Sequence, residues 1–447
     1  MSIGKYDAIV IGAGISGLLA AVALAKEGKS VLILEQEKEI GGICRSYAVG
    51  GYRIDMGPHI ITRLKNGPLR ILMNCYFDAV PEFVEHGNYY LRFSDCIAPF
   101  PWTIKDWLTF PPISKVDRAR IVQVMSGLLV DYVVRKDLNN KSIADVMDKR
   151  LFSERSLHIA NTISLFLAGT TMDMCPVGRF MGGGGTGSSL TTKMYKVMRL
   201  VKEERAIEQG YPKGGLQSIV NCITQSMPKT CRIKTECKIK KIIMEEGRVK
   251  GVKTSEGEYY SEIVVYAGYA SSLPGLLPLK KNYSEQLKCI EQATTLSIWL
   301  GLNKKYFEKR GSEIWVEAGK PCWVVPVSNY DPSLAPRGKQ LAGFVFVLPK
   351  EEQKTEAKRL QRKYLSIISG VFPGIENDID MIHTQIQNTE TIVVGQEFPS
   401  QKTPINGLYL VGKETKALAA GASIGVSKAA YTVLECLKFM KNDGVLK

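Results

Sequence analysis

The chain has 447 residues, 45% apolar and 23% charged, with 59 Lys and Arg against 44 Asp and Glu for a formal net charge of +15. This is the apolar content of an ordinary globular protein with room for two sizeable substructures; the basic balance suits an acidic partner, an anionic membrane surface or a plain solvated surface, while scattered basic residues with no reading motif exclude nucleic acid. The ten cysteines include no CxxC pair, which excludes a zinc site or a compact disulfide framework and makes reduced intracellular thiols the default.

The first element reads as a strand, Tyr6 to Ile11, running into Gly12-Ala13-Gly14 and a helix from Ile15 to Glu27. A second apolar strand, Ser30 to Leu34, ends at Glu35. This is a parallel β-α-β unit with the spacing of a dinucleotide-binding start. Gly12 permits the tight turn, Gly14 lets the backbone approach a pyrophosphate, and Gly17 lets the helix pack on the strand. The helix N-terminus, with Ile15 and Ser16 in its first turn, can then hold phosphate charge. Glu35 stands about 20 residues beyond the middle glycine, where an acid accepts hydrogen bonds from a ribose hydroxyl pair.

The pair Gly41-Gly42 follows, and after Tyr76 the character changes. Phe100-Pro101-Trp102 and Phe110-Pro111-Pro112 punctuate an aromatic stretch, and Val116 to Val134 and Ser142 to Ala168 read as helices of an inserted cap. Gly182 to Gly187 is too glycine-rich for helix or strand and reads as a mobile loop. Between Arg232 and Tyr266 the pattern is short strands separated by the turn pairs Glu246-Gly247 and Glu256-Gly257, the last of them, Ile263 to Tyr266, suited to burial on both faces. Ala293 to Leu302 and Gln340 to Leu348 suggest a second sheet, the floor of a substrate chamber. Asn406 to Gly412 reads as a turn and strand, and a helix from Ala422 to Phe439 closes the chain.

The expected fold class is therefore α/β: a Rossmann-like domain assembled from 1–75, 210–275 and 400–447, with an inserted α+β substrate domain from 76–209 and 276–399. A first strand this close to Met1 leaves no room for a cleavable signal peptide, and no apolar run reaches transmembrane length. The expected location is cytoplasmic, with peripheral contact to the inner face of a membrane compatible with it.

Four motifs together carry a resemblance: Gly12-Ala13-Gly14-Ile15-Ser16-Gly17 with Glu35; Gly41-Gly42-Ile43-Cys44-Arg45-Ser46; Gly210-Tyr211-Pro212-Lys213-Gly214-Gly215; and Gly407-Leu408-Tyr409-Leu410-Val411-Gly412 with Ala420 to Gly425. In order and separation the chain resembles the flavin-dependent amine oxidase superfamily, most of all its phytoene desaturase and protoporphyrinogen oxidase-like branches. The resemblance implies a two-dinucleotide-binding-domain flavoprotein with FAD bound extended, its flavin between the domains. It implies that Gly12, Gly14 and Gly17 face the pyrophosphate and Glu35 the adenosine ribose. Gly41, Gly42 and Arg45 would form the bend toward the flavin, and the backbone of Ile239 would hold the adenine. Gly412 and the helix from Ala422 would set backbone N–H groups and a helix N-terminus at the flavin's polar edge. The residue after Gly412 is commonly acidic in this family; here it is Lys413, with Glu414 next as the acid at that site.

A flavin accepts a hydride or its equivalent from a C–H bond, and the protein supplies orientation and exclusion of water, so no catalytic triad or metal is required. Among His59, His86, His158 and His383 no pair has metal-ligand spacing. His59, in Ile54-Asp55-Met56-Gly57-Pro58-His59, resembles a family segment close to the flavin and is the catalytic candidate, with a structural turn histidine as its alternative. Known amine oxidases of this fold often carry an aromatic residue near the last motif, where this chain has Thr415-Lys416-Ala417-Leu418. Tyr89 to Pro112 and Ile121 to Val134 instead suit a chamber for a long or polycyclic apolar substrate entered from a membrane surface, or ordinary core. The expected function is an FAD-dependent oxidoreductase acting on an isoprenoid-like or porphyrinogen-like substrate, with an unknown electron acceptor. An amine oxidase, a UDP-galactopyranose mutase-like isomerase (on Gly57-Pro58-His59-Ile60) and a lipid carrier like the prenyl-binding escort proteins stay open as alternatives.

Overall fold

The structure is a computed structural model that describes residues 2–57, 59–134, 137–180, 209–417 and 425–446. Its centre is a five-stranded sheet in the order Cys231–Lys234, Val31–Leu34, Ala8–Ile11, Val264–Tyr266, Leu408–Leu410, parallel throughout. Side chains alternate across it, as the pleat requires. Ala8, Val10, Val31, Ile33 and Val265 share a core with the helices Ile15–Lys26, Gln217–Gln225 and Gly425–Asn442. Ile9, Ile11, Leu32, Leu34, Val264, Tyr266, Leu408 and Leu410 point the other way. They meet a four-stranded sheet of Ser2–Lys5, Glu258–Tyr260, Arg248–Thr254 and Ile239–Glu245. Cover on both faces is why these strands read as unbroken apolar runs.

The first strand is shorter than the sequence predicts. It starts at Ala8 because Asp7 turns its carboxylate to accept from Ser30 N and Oγ at 2.7 Å each, and Ser2–Lys5 leaves to become an edge strand of the smaller sheet. The Glu246-Gly247 turn does join two antiparallel strands, both residues taking positive φ (47° and 76°).

A second, seven-stranded sheet runs Ile379–Glu390, Gln292–Leu302, Gln340–Leu348, Cys322–Val325, Gly311–Trp315, Asn88–Arg92, Ile97–Pro99. One face packs Leu296, Ile298, Leu300, Phe344 and Phe346 against Leu360, Tyr364 and Ile368 of the helix Ala357–Val371. The other looks back toward the parallel sheet across a cavity. Beside it stands a helical cap of Lys115–Val133 and Glu154–Ala168, sharing the core residues Ile121, Ile159 and Ile163. The single helix expected from Ser142 to Ala168 is two, Ile143–Val146 and Glu154–Ala168. Each has its own N-cap, Ser142 accepting from Asp145 N and Ser153 from Ser156 N, so the chain restarts rather than continues. The buried Asp117 ties the second restart to the first cap helix by accepting from Ser156 Oγ at 2.9 Å and from the Ser153 hydroxyl. The Gly182 to Gly187 loop lies outside the described residues.

Candidate functional site

The first strand ends in a turn where three glycines serve three different needs. Gly12 takes φ +99°, open to glycine at little cost. At Gly17 a Cβ would stand 1.9 Å from the Gly12 carbonyl oxygen, so any side chain would push the helix off the turn. At Gly14 a Cβ would meet nothing within 4 Å: the space in front of the helix is open. The helix that starts there has no side-chain cap and no acid in its first turn, which leaves its N–H groups for an anion. Gly42 crosses behind, its Cβ position 3.1 Å from the Gly14 Cα, while Gly41 N donates to the Ala13 carbonyl at 2.7 Å. Glu35 is buried, and its carboxylate accepts from Ala13 N at 2.6 Å and Glu37 N at 2.9 Å, so it also braces the turn. These residues fit a dinucleotide: a backbone cradle that any larger side chain at Gly14 would fill, and an acid at its far edge.

In front of the turn lies a cavity of about 340 Å³. Gly14, Ile15, Ser16, Gly42, Gly412 and Gly425 form the side toward the parallel sheet; Thr295, Ser297, Trp323, Val345, Val347 and Gln387 form the sheet floor; Leu165, Phe166 and Leu167 close it from the cap. The sheet runs expected to be a floor are therefore part of its lining.

His59 also lines the cavity, half-buried. Burial pushes its pKa down, against the Gly57 carbonyl and the Asp55 carboxylate, which pull it up. The ring is thus neutral at pH 7, with Nδ1–H donating to the Gly57 carbonyl at 2.8 Å and Nε2 left as the acceptor. Gly57 is also held through its own N–H, which donates to Gln385 Oε1 at 2.8 Å. Gln385 spends its remaining capacity on Trp299 Nε1, the Tyr47 hydroxyl and the Asp55 carbonyl.

Asp55, 1% exposed, accepts from Ser46 Oγ and the Tyr211 hydroxyl at 2.5 Å each and from Leu216 N at 3.0 Å. Burial raises its pKa, and these three donors oppose the rise. This knot accounts for the Gly210 to Gly215 motif: Gly215, at φ +84°, brings the chain so close to Ser46 Oγ that a Cβ would stand 2.5 Å from it.

On the cap side a charge cluster bridges the two sheets. Lys428, 3% exposed on the last helix, donates to Glu390 Oε2 at 2.6 Å, and Arg179 stands 3.8 Å from the same carboxylate. Burial lowers the pKa of Lys428, and Glu390 works to keep it charged. Lys413, at the cavity wall, donates to the Asn388 carbonyl at 2.8 Å and lies over the Tyr269 ring.

Two expectations need correcting. Glu414 does not reach the cavity: it is buried with one oxygen accepting from Ser271 N and Oγ and the other from Gln292 Nε2, so Lys413 takes the cavity-facing place. The Gly412 N–H is already donated to Thr432 Oγ1 at 2.9 Å, although Gly412 itself lines the cavity. Arg45 stays at the Gly41-Gly42 bend, its Nε donating to the Gly42 carbonyl at 2.9 Å. Ile239 opens an antiparallel strand paired with Thr254, its side chain in the core; Cys237, two residues before it, donates its N–H to the Glu35 carbonyl at 2.8 Å, so this segment lies at the Glu35 end of the site and not at the cavity. Ala422 lies outside the described residues. The sequence reading missed Asp55, Gln385 and the Lys428 and Glu390 pair; only Asp55, an acid beside Ile54 just before Gly57, left a signal.

A family model described as flavin containing amine oxidoreductase matches residues 15–427. A 1-hydroxycarotenoid 3,4-desaturase of Flavobacterium sp. (strain P99-3) is 24% identical over 328 residues, 67% of this chain and 64% of that protein. The all-trans-retinol 13,14-reductase of Rattus norvegicus is 49% identical over 63 residues, 14% of this chain and 10% of its own length. The chain thus spans less than two thirds of either curated relative. Among solved structures, an oxidoreductase from Methanosarcina mazei superposes with a TM-score of 0.78 at 20% identity, covering 98% of this chain and 100% of that one, a likeness of fold.

Proposed function

The chain belongs to the flavin containing amine oxidoreductase family, and from that premise we propose that it uses FAD to oxidise, or in reverse reduce, an apolar carbon skeleton, isoprenoid-like before porphyrinogen-like. The observation that carries this reading is the cavity wall: most of its surface is apolar, from Ile15, Ile43, Ile60, Leu165, Phe166, Leu167, Trp323, Val345 and Val347, with polar side chains such as His59, Thr295, Ser297, Gln387 and Lys413 set among them. The desaturase and reductase among its relatives are named for a carotenoid and a retinoid, which supports the same class.

Gly14 and the first turn of the helix after it would hold the pyrophosphate, Glu35 the ribose, and Gly42 would let the backbone pass close to the cofactor. Bound there, FAD supplies the hydride acceptor or donor. The protein's part is to orient and to exclude water. Leu165, Phe166 and Leu167 press the substrate from the cap onto the Val345 and Val347 floor, keeping a C–H bond in a dry space. His59, neutral and aimed by the Gly57 carbonyl, offers Nε2 as a proton acceptor at the same wall.

The test is the visible spectrum of the purified protein followed by anaerobic addition of lipid-dispersed isoprenoids, porphyrinogens and simple amines. Flavin bleaching by an isoprenoid or porphyrinogen, unaffected by chelators, is expected. Bleaching by amines alone would overturn the substrate class and leave the cofactor in place. Turnover of a UDP-sugar only after prereduction would replace the reading with a sugar isomerase.

A further inference from the structure

On most surface helices of a protein this charged, the solvent side carries charge. The helix Ala357–Val371 is an example: its exposed positions are Ala357, Lys358, Arg359, Arg362, Lys363, Ser366 and Gly370. The cap helix Lys115–Val133 breaks the pattern. Beyond Lys115, its exposed positions through the C-cap are Val116, Ala119, Gln123, Ser126, Gly127, Val130, Val133 and Val134, without one charge. They recur every three or four residues and so form one stripe, about 27 Å long from Val116 to Val134. Val116, Val130 and Val134 are 56%, 61% and 59% exposed. Leu108, on the short helix packed against this one, adds a further apolar side chain at 50%.

At the Val116 end the stripe is edged by Lys105, Lys115, Arg118 and Arg120. Arg118 donates to the carbonyls of Ile113 and Pro111 and Arg120 to that of Leu151; no carboxylate among the described residues pairs with any of the four. An uncharged apolar stripe beside uncompensated cations is complementary to an anionic lipid surface, which offers hydrocarbon to the valines and phosphate to the cations. A second copy of this chain would match the valines and leave the cations unanswered. No helix among the described residues is long and apolar enough to cross a membrane, so the contact is peripheral.

We propose that the outer face of the Lys115–Val133 helix, with Leu108, docks the protein on an anionic lipid bilayer. This goes beyond the choice of substrate and does not depend on it. Behind that helix, across the shared core of Ile121, Ile159 and Ile163, lies the helix that gives Leu165, Phe166 and Leu167 to the cavity, so docking sets the cap side of the site toward the bilayer.

Cosedimentation of the flavin-loaded protein with phosphatidylcholine vesicles, with and without phosphatidylglycerol, tests the proposal. Binding is expected only with the anionic lipid, falling about fivefold for each of Lys105→Gln and Lys115→Gln. It is expected to vanish in Val116→Glu/Val130→Glu, while circular dichroism and flavin content stay as in the parent. Equal binding to both vesicles, no binding to either, or a parent dimer that the valine variant converts to monomer overturns it, the last by assigning the stripe to a second copy.

Discussion

The two large sheets face each other across one cavity and are built on opposite rules. In the parallel sheet every residue of the strands Ala8–Ile11, Val31–Leu34, Val264–Tyr266 and Leu408–Leu410 is buried, and the cavity is met by the turns beyond the strand ends, where Gly14, Gly42 and Gly412 bring backbone beside the side chains of Ile15, Ser16, Ile43 and Lys413. In the seven-stranded sheet one face is core, and the other sends Thr295, Ser297, Val345, Val347 and Gln387 into the cavity. The first sheet meets the cavity through the turns at its strand ends, the second through the side chains of one face. A cofactor shared by a family suits the former, and a substrate that differs between relatives suits the latter.

The largest effects expected separate the two jobs of backbone at the first turn. Gly17→Val drives a side chain into the Gly12 carbonyl, at a cost of about 3 kcal/mol or more, and is expected to yield unfolded or insoluble protein. Gly14→Val points into open space, so its apoprotein should unfold within about 1 kcal/mol of the parent in denaturant yet retain no flavin. A Gly14→Val protein with full flavin content would remove the nucleotide side from the comparison altogether.

This contrast also governs what could be read from the sequence. The parallel sheet was legible because burial on both faces writes apolar runs, and because glycines at Gly12, Gly14 and Gly17 are required by backbone geometry alone. Even Gln340–Leu348 appears at the bounds expected, since its length and apolar run admit few alternatives. The rest depends on partners far away in the chain. Nothing near Glu414 announces that Ser271 and Gln292, well over 100 positions earlier, turn it from the cavity. Lys428 reads as an ordinary helix-surface lysine until Glu390 is brought against it. The break between Ser142 and Ala168 is written locally, in the caps at Ser142 and Ser153, although the apolar periodicity runs on across it.

Ties across the cavity come next in size. Lys428→Met takes the nearest cation from the largely buried Glu390 and leaves it Arg179 at 3.8 Å, and is expected to cost about 3 kcal/mol in denaturant unfolding. Lys428→Met/Glu390→Gln also takes the carboxylate from the buried Arg179 and is expected to be no more stable than the single variant. A double variant that regains most of the loss would show that Lys428 and Glu390 act as an isolated pair rather than as a cluster with Arg179.

The seven-stranded sheet should also be the one that acid weakens. His86, fully buried, shares a hydrogen bond at 2.7 Å with the hydroxyl of Ser312 in that sheet, and burial pushes its pKa down to about 4. Below pH 6.5 the unfolded chain takes up a proton that the folded one refuses, so this contribution is complete above that pH and is lost as pH falls toward 4. The loss amounts to about 3 kcal/mol. Comparing unfolding midpoints of the parent and His86→Gln from pH 7 to pH 4 isolates it: the parent should fall more steeply. Parallel curves would place the acid sensitivity elsewhere.

The smallest effect belongs to Lys413, and it is the sharpest check because Lys413 looks like Lys428 on paper. Both lie in the segment after Gly412, both are cations, and both reach the edge strand Ile379–Glu390 of the other sheet. They differ in surroundings. The Lys413 bond to the Asn388 carbonyl is exposed, with water ready to replace it, and its other partner is the face of Tyr269 at 4.6 Å. Such a contact is worth about 0.5 kcal/mol. Lys413→Met is therefore expected to leave the unfolding midpoint almost unmoved and flavin content unchanged, even though the side chain lines the cavity and stands where the family commonly carries an acid. If it instead costs as much as Lys428→Met, the closing of the two sheets depends on a chain of cations rather than on one buried cluster. If flavin content falls while stability holds, the side-chain rule assigned here to the seven-stranded sheet extends to the end of the parallel one.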